Sequence, residues 1–225
     1  KKFYAILSLL ITSSLYINAQ LLPPNQPEQN SCDALVLCGN TFTSPYAYQG
    51  RGTTYDLNNT PCSGGEDNVM WIRLNVNTAG TIVFTLAPLI GTDDYDFAVV
   101  NMTGKACNAI TSNDVIRCNF NNNSPGSNVN GIIGLNNTST INTVAGGTFG
   151  NSFLAPINAQ PGDVYLIMIN NFGYYSGIGG PTSGFTIDFT GSTATFNQPP
   201  APKYDQIVPA CNHANSVVVQ LDQMI

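Results

Sequence analysis

Cys62–Met102, CSGGEDNVMWIRLNVNTAGTIVFTLAPLIGTDDYDFAVVNM, is the stretch that decides the fold class. It holds the only Trp and the densest group of carboxylates in the chain. Val69, Trp71 and Val76, then Ile82, Phe84 and Leu86, recur at the period of strands with one apolar face. Thr78-Ala79-Gly80-Thr81 reads as a hairpin turn between these strands, with Gly free to take positive φ. After Asp93-Asp94-Tyr95-Asp96 comes a continuous apolar strand, Phe97 to Val100. The rest of the chain is expected to complete an all-β, antiparallel β-sandwich around this hairpin, with Trp71, Phe84 and Phe97 in its core.

Working outward, Val164–Ile169 is a strand buried on both faces, preceded by a Pro161-Gly162 turn. Phe185, Ile187 and Phe189 alternate with Thr186 and Asp188 in a closing strand. Residues 119–148 are rich in Asn, Gly, Ser and Thr, with short strands expected inside them. At the start, Lys1-Lys2, an apolar run from Phe3 to Tyr16 and a small residue at Ala19 have the form of a secretory signal peptide over 1–19. Residues 20–30 read as a linker, 31–196 as the sandwich module, and 197–210 as a Pro-rich linker. Residues 211–225 read as the start of a second β domain, so the chain is expected to be the N-terminal part of a longer protein.

Charged residues make up only 9% of the chain against 43% hydrophobic, so Asn, Thr, Ser and Gly must cover the surface. A net charge of −6 argues against nucleic acid and anionic membranes as partners. Six Cys in an exported chain imply disulfides. Cys107 and Cys118 are close enough in sequence to close a small loop. Of Cys32, Cys38, Cys62, Cys107 and Cys118, one is unpaired or reaches Cys211; alternatively Cys211 pairs with a Cys beyond Ile225. No CxxC spacing occurs and the single His is His213, which disfavours a zinc site and a Ser/His/Asp triad.

Asp93, Asp94 and Asp96, with Glu66 and Asp67 nearby, offer oxygens suited to calcium, or else form a solvated turn that caps backbone amides. Asp94 and Asp96 project to one face, but nothing around them resembles the sugar cleft a glycosidase pair needs. Phe172, Tyr174 and Tyr175, with Tyr46 and Tyr48, offer a platform for sugar stacking or a plug at one end of the sandwich. No catalytic apparatus stands out.

The segments Trp71-Ile72-Arg73-Leu74, Asp93–Asn101 (DDYDFAVVN) and Pro161–Phe172 (PGDVYLIMINNF) carry a family resemblance. With Gly184–Gly191 (GFTIDFTG), they resemble the N-terminal β-sandwich modules of large secreted, gliding-motility-associated surface proteins of Bacteroidota. More distantly the layout is similar to bacterial pre-peptidase C-terminal domains, which are jelly-roll-like sandwiches. The similarity spans residues 31–196, and Cys211–Leu221 resembles the start of the Ig-like module that often follows. The resemblance implies export by the Sec system and then by the type IX secretion system, which would handle the chain as a transported substrate. It also implies an adhesin-like, non-catalytic role at the cell surface, with glycans or other surface proteins as partners. The alternative is a carbohydrate-binding accessory domain of a secreted hydrolase.

Overall fold

The structure is a computed structural model that describes residues 22–37, 39–91, 93–121, 131–147, 150–172 and 183–197, together with strands at 204–209 and 217–221. The proposed signal segment, Cys38, Cys211, Tyr174 and Tyr175 lie outside the described residues. In chain order the strands are β1 Leu35–Val36, β2 Thr41–Ser44, β3 Val69–Thr78, β4 Gly80–Ile82, β5 Phe84–Pro88, β6 Tyr95–Asn101, β7 Val115–Asn119 and β8 Ile133–Leu135. They continue with β9 Thr143–Val144, β10 Phe153–Leu154, β11 Ile157–Ala159, β12 Val164–Asn171, β13 Phe185–Asp188, β14 Thr195–Phe196, β15 Tyr204–Pro209 and β16 Val217–Leu221.

One sheet runs β1-β3-β12-β6-β7-β9 with β14 also on β3, and a second runs β10-β8-β5-β13-β2. Their central pairings are antiparallel, while the short β1–β3, β7–β9 and β10–β8 pairings are parallel. The fold is therefore an all-β sandwich with mixed edges. Val164–Asn171 sits between β3 and β6, as its unbroken apolar run demands, because a strand covered on both faces has no polar side to show.

Between the sheets lies the main core. Met70, Ile72, Leu74 and Val76 of β3, Phe97 and Val99 of β6, and Ile167 and Ile169 of β12 meet Phe84, Leu86, Phe185 and Ile187 of the opposite sheet. Phe84 and Phe97 contact across the layers at 5.0 Å between centroids, nearly edge to face, and Tyr95 and Phe185 do so at 5.3 Å. Side chains of this size each contribute about 1.5–3 kcal/mol on full burial.

The central hairpin expected from the sequence does not form. The partners of β3 are β1, β12 and β14, whereas β4 pairs with β11, and β5 with β13 and β8. The turn at Ala79 passes the chain from one sheet towards the other. Gly80 is required there because a Cβ at this position would collide with the backbone of Thr193 and Ala194. Trp71 is also not in the core between the sheets. It faces outward with Val69 and packs in a second cluster with Leu57, Cys62, Ala98, Val100, Cys118, Phe120, Leu166 and Met168. Both faces of β3 are buried over most of its length, so alternation along it could not say which face met the other sheet.

That second cluster exists because residues 49–68, through Leu57 and Cys62, form a strap across the outer face of the first sheet. Cys62, in the strap, is bonded to Cys118 of β7, and Cys32 of the N-terminal segment to Cys107 of the β6–β7 loop. The expected Cys107–Cys118 link is absent. Cys118 pairs in register with Ala98, while Cys107 follows Met102 in the loop beyond the far end of β6. Each of the two is bonded instead to a cysteine from the chain before β3. Two disulfides belong to an oxidising environment. Residues 204–209, assigned to a linker by composition, instead form β15, which pairs antiparallel with β16 in a two-stranded sheet of their own. No helix among the described residues is long and apolar enough to cross a membrane.

Each disulfide closes a loop of 75 or 56 residues, for which chain entropy gives about 4 kcal/mol of stabilisation. Peptide mapping without reduction should recover Cys32–Cys107 and Cys62–Cys118 links, and the Cys62→Ala/Cys118→Ala variant should lose several kcal/mol in denaturant unfolding. Recovery of a Cys107–Cys118 peptide would contradict the assigned fold.

Candidate functional site

A group of deeply buried polar side chains gathers where the strap returns to the first sheet. Glu66, Asn68, Asp96, Asn170 and Asn171 are each no more than 3% exposed. They come from the end of the strap, the start of β6 and the end of β12, and β-pairing places Asn170 beside Asp96 and Asn171 beside Tyr95.

Glu66 organises the strap. Its Oε1 accepts the indole N–H of Trp71 at 2.9 Å, and its Oε2 accepts the backbone N–H groups of Asp56 at 2.8 Å and Leu57 at 3.3 Å. A strap has no ladder to satisfy its backbone, so buried side chains must supply the partners. Asn68 does the same work next door: Oδ1 accepts from Gly50 and Nδ2 donates to the carbonyl of Asn171. Gln29 donates to the carbonyls of Gln49 and Gly50. Asn170 Oδ1 accepts the N–H groups of Asp67 and Asn68, both at 3.0 Å.

Burial dominates the electrostatics. It pushes the Glu66 carboxyl up to about 7 despite the donors that favour its charged form. Asp96 is held well above the ordinary carboxylate range by burial first, then by the neighbouring carboxylates of Asp94 and Asp67. Asp67 is also raised by burial, with the Arg51 guanidinium opposing.

The acidic tract 93–96 does not act as one cluster. Asp93 turns to the start of β13, where its carboxylate accepts the backbone N–H and hydroxyl of Ser183. Asp94 and Asp96 stay in electrostatic contact, and the third member of their group is Asp67. Among the described residues, no three His, Cys, Asp or Glu side chains are placed to hold a metal ion directly. Of the aromatic residues expected to form a platform, Tyr48 is buried in the main core with its hydroxyl donating to Glu28 at 2.7 Å. Phe172 is 46% exposed, and its N–H donates to the carbonyl of Asp94. The structural role of Glu66 was missed at the level of sequence. The usable signal was the lone Trp, because a buried indole N–H requires an acceptor.

Comparison with protein-family models, with curated proteins and with solved structures finds no match to this chain.

Four carboxyls here, Glu66, Asp67, Asp93 and Asp96, are raised on folding. A raised group stabilises the fold below its unfolded value, 4.5 for Glu, and that contribution is lost as pH rises through the folded value, about 7 for Glu66. Asp114 and Asp188, whose values are lowered, titrate below this window. In EDTA-containing buffer the denaturation midpoint should therefore fall between pH 5 and pH 8. Glu66→Gln should flatten that fall and cost about 1–3 kcal/mol, because the amide leaves one N–H facing another donor. A midpoint that rises over this range would contradict the assignment.

Proposed function

We propose that this chain is a non-catalytic, adhesin-like module of a cell-surface protein that is exported by the type IX secretion system. The observation that carries the reading is the construction of the sandwich. Two disulfides and a strap of buried amides hold it, and its exterior is built from uncharged polar side chains. Such a build suits an oxidising, extracellular setting. The resemblance of DDYDFAVVN and PGDVYLIMINNF to gliding-motility-associated modules supplies the finer assignment. In the structure those two segments supply the adjacent central strands β6 and β12, so the similarity falls on the scaffold. Display and contact with surface glycans or other surface proteins are then the module's work.

One observation favours carbohydrate binding as a second reading, the exposure of Phe172 at the end of β12, where a sugar ring has an aromatic face to stack on.

In a Bacteroidota host, the full-length gene should yield a product that protease added to intact cells can digest. The product should become protected when the type IX machinery is deleted. Protection in both strains would contradict surface export. On a glycan array, retention that Phe172→Ala reduces at least tenfold would establish the second reading, and absence of any retained glycan would remove it.

A further inference from the structure

The second sheet ends on β2, whose four residues pair with β13 on one side and, among the described residues, with no strand on the other. Phe189 donates its N–H to the carbonyl of Asn40, which continues the β2–β13 register and makes Asn40–Phe189 a hydrogen-bonded pair. In an antiparallel ladder such pairs alternate with non-hydrogen-bonded ones. Phe42 and Ser44 therefore turn their backbone groups to β13, and the N–H and C=O groups of Thr41 and Thr43 point away from it. Both threonines are exposed. Folded proteins blunt an open edge with very short strands, Lys, Pro, a bulge or a covering loop. The other sheet ends follow that rule. β1, β9 and β10 are each two residues long, and the Arg117 guanidinium takes the carbonyls of Ala155 and Pro156 just after β10. β2 has no charged residue, no Pro and no register shift, and it is built of strand-favouring Thr and Phe.

We infer that β2 pairs antiparallel with β2 of a second copy of this chain, about a two-fold axis at Phe42, so that the second sheets of two copies become one. A single register satisfies the edge. It sets Thr41 opposite the second copy's Thr43, Thr43 opposite its Thr41, and Phe42 opposite its Phe42. Both threonine pairs are then hydrogen-bonded pairs, each exchanging two N–H···O bonds, because these residues already point outward. A slip of one residue would set outward-pointing groups against inward-pointing ones. A slip of two would oppose Thr41 with Pro45, which has no N–H, or Thr43 with Gly39 beyond the strand. Phe42 falls at the non-hydrogen-bonded pair, where side chains come closest. Its ring is half-buried against Phe185, 6.0 Å away between centroids, and the second ring covers its open side. On the other face, the rows Thr41–Asp188 and Thr43–Thr186 run on into the second copy's threonines, with no like charges directly opposed. The contact is isologous and closes at two copies. So short a pairing falls below the about 1,200 Å² of a stable interface, so association is weak and gains from crowding of copies side by side. This inference does not depend on the secretion route or on glycan binding.

The test is sedimentation velocity of the full chain from about 10 μM to about 500 μM, a range that spans weak dimers. The expected result is a sedimentation coefficient that rises with concentration towards that of a dimer. Amide exchange at Thr41 and Thr43 should slow about threefold or more across the same range. Thr43→Pro should stay monomeric throughout and melt within about 2 °C of the parent, because the Thr43 N–H points away from β13. Thr41→Lys, which places a charge on the edge without touching the backbone, should weaken association about tenfold or more. A monomer at every concentration would overturn the inference, as would association retained at parental strength in both variants. Protection of Thr41 and Thr43 already in dilute solution would show that the chain covers its own edge and would overturn it too.

Discussion

Glu66 accepts hydrogen bonds from the indole of Trp71 and from the backbone of Asp56 and Leu57, so a single buried carboxylate joins a strand to the segment that covers it. The outer layer of the molecule depends on that junction. With the strap in place, Val69, Trp71, Ala98, Val100, Leu166 and Met168 are covered by Leu57 and Cys62. Without it, the outer face of β3, β12 and β6 would be a broad apolar surface exposed to water, which folded proteins rarely tolerate. The sandwich therefore has three layers of packing from two sheets, and the third is made by chain without regular structure.

Irregular chain over a buried face must satisfy its own backbone, and the composition of this protein is suited to that task. Asn, Gln and Glu side chains do it from below the strap, at Glu66, Asn68, Asn170 and Gln29. The Cys62–Cys118 bond ties the strap covalently to β7, and Cys32–Cys107 ties the N-terminal segment to the loop that precedes β7. Close contact adds a further constraint. A side chain at Gly64 would run into the ring of Phe120, so the strap can lie flat only with glycine there. The electrostatic consequence is a set of carboxyls raised by burial beneath a cover that few charges reach, a different situation from the solvated acidic turn suggested by DDYD alone.

Much of the scaffold was legible in the sequence. Phe97–Val100 and Val164–Ile169 read as buried strands because apolar runs of that length, bounded by turn residues, have few other uses, and they became the adjacent strands β6 and β12. Phe185 and Ile187 read as one face of a strand and line the main core. Pairing was not legible. Thr78-Ala79-Gly80-Thr81 announces a turn, but turn chemistry does not say whether the next strand joins the same sheet. Cys107 and Cys118 are near in sequence, yet Cys118 lies opposite the middle of β6, Cys107 lies in the loop after it, and each is bonded to a cysteine from the chain before β3. The site was half legible, since the Asp94–Asp96 spacing foretold their association while Asp93 was lost to Ser183 and Asp67 came from the strap.

Because Trp71 is the only Trp, its indole proton gives a single assignable reporter on the junction between strap and sheet. Hydrogen exchange of that proton, followed by NMR near pH 6, measures directly whether the strap is a fixed third layer. The account predicts exchange slowed to the rate of global unfolding, with the amides of Asp56 and Leu57 protected to a similar degree. Exchange of the indole proton at the rate of a free indole, while the amides of β12 stay protected, would show that the strap does not seal the sheet and would contradict the account.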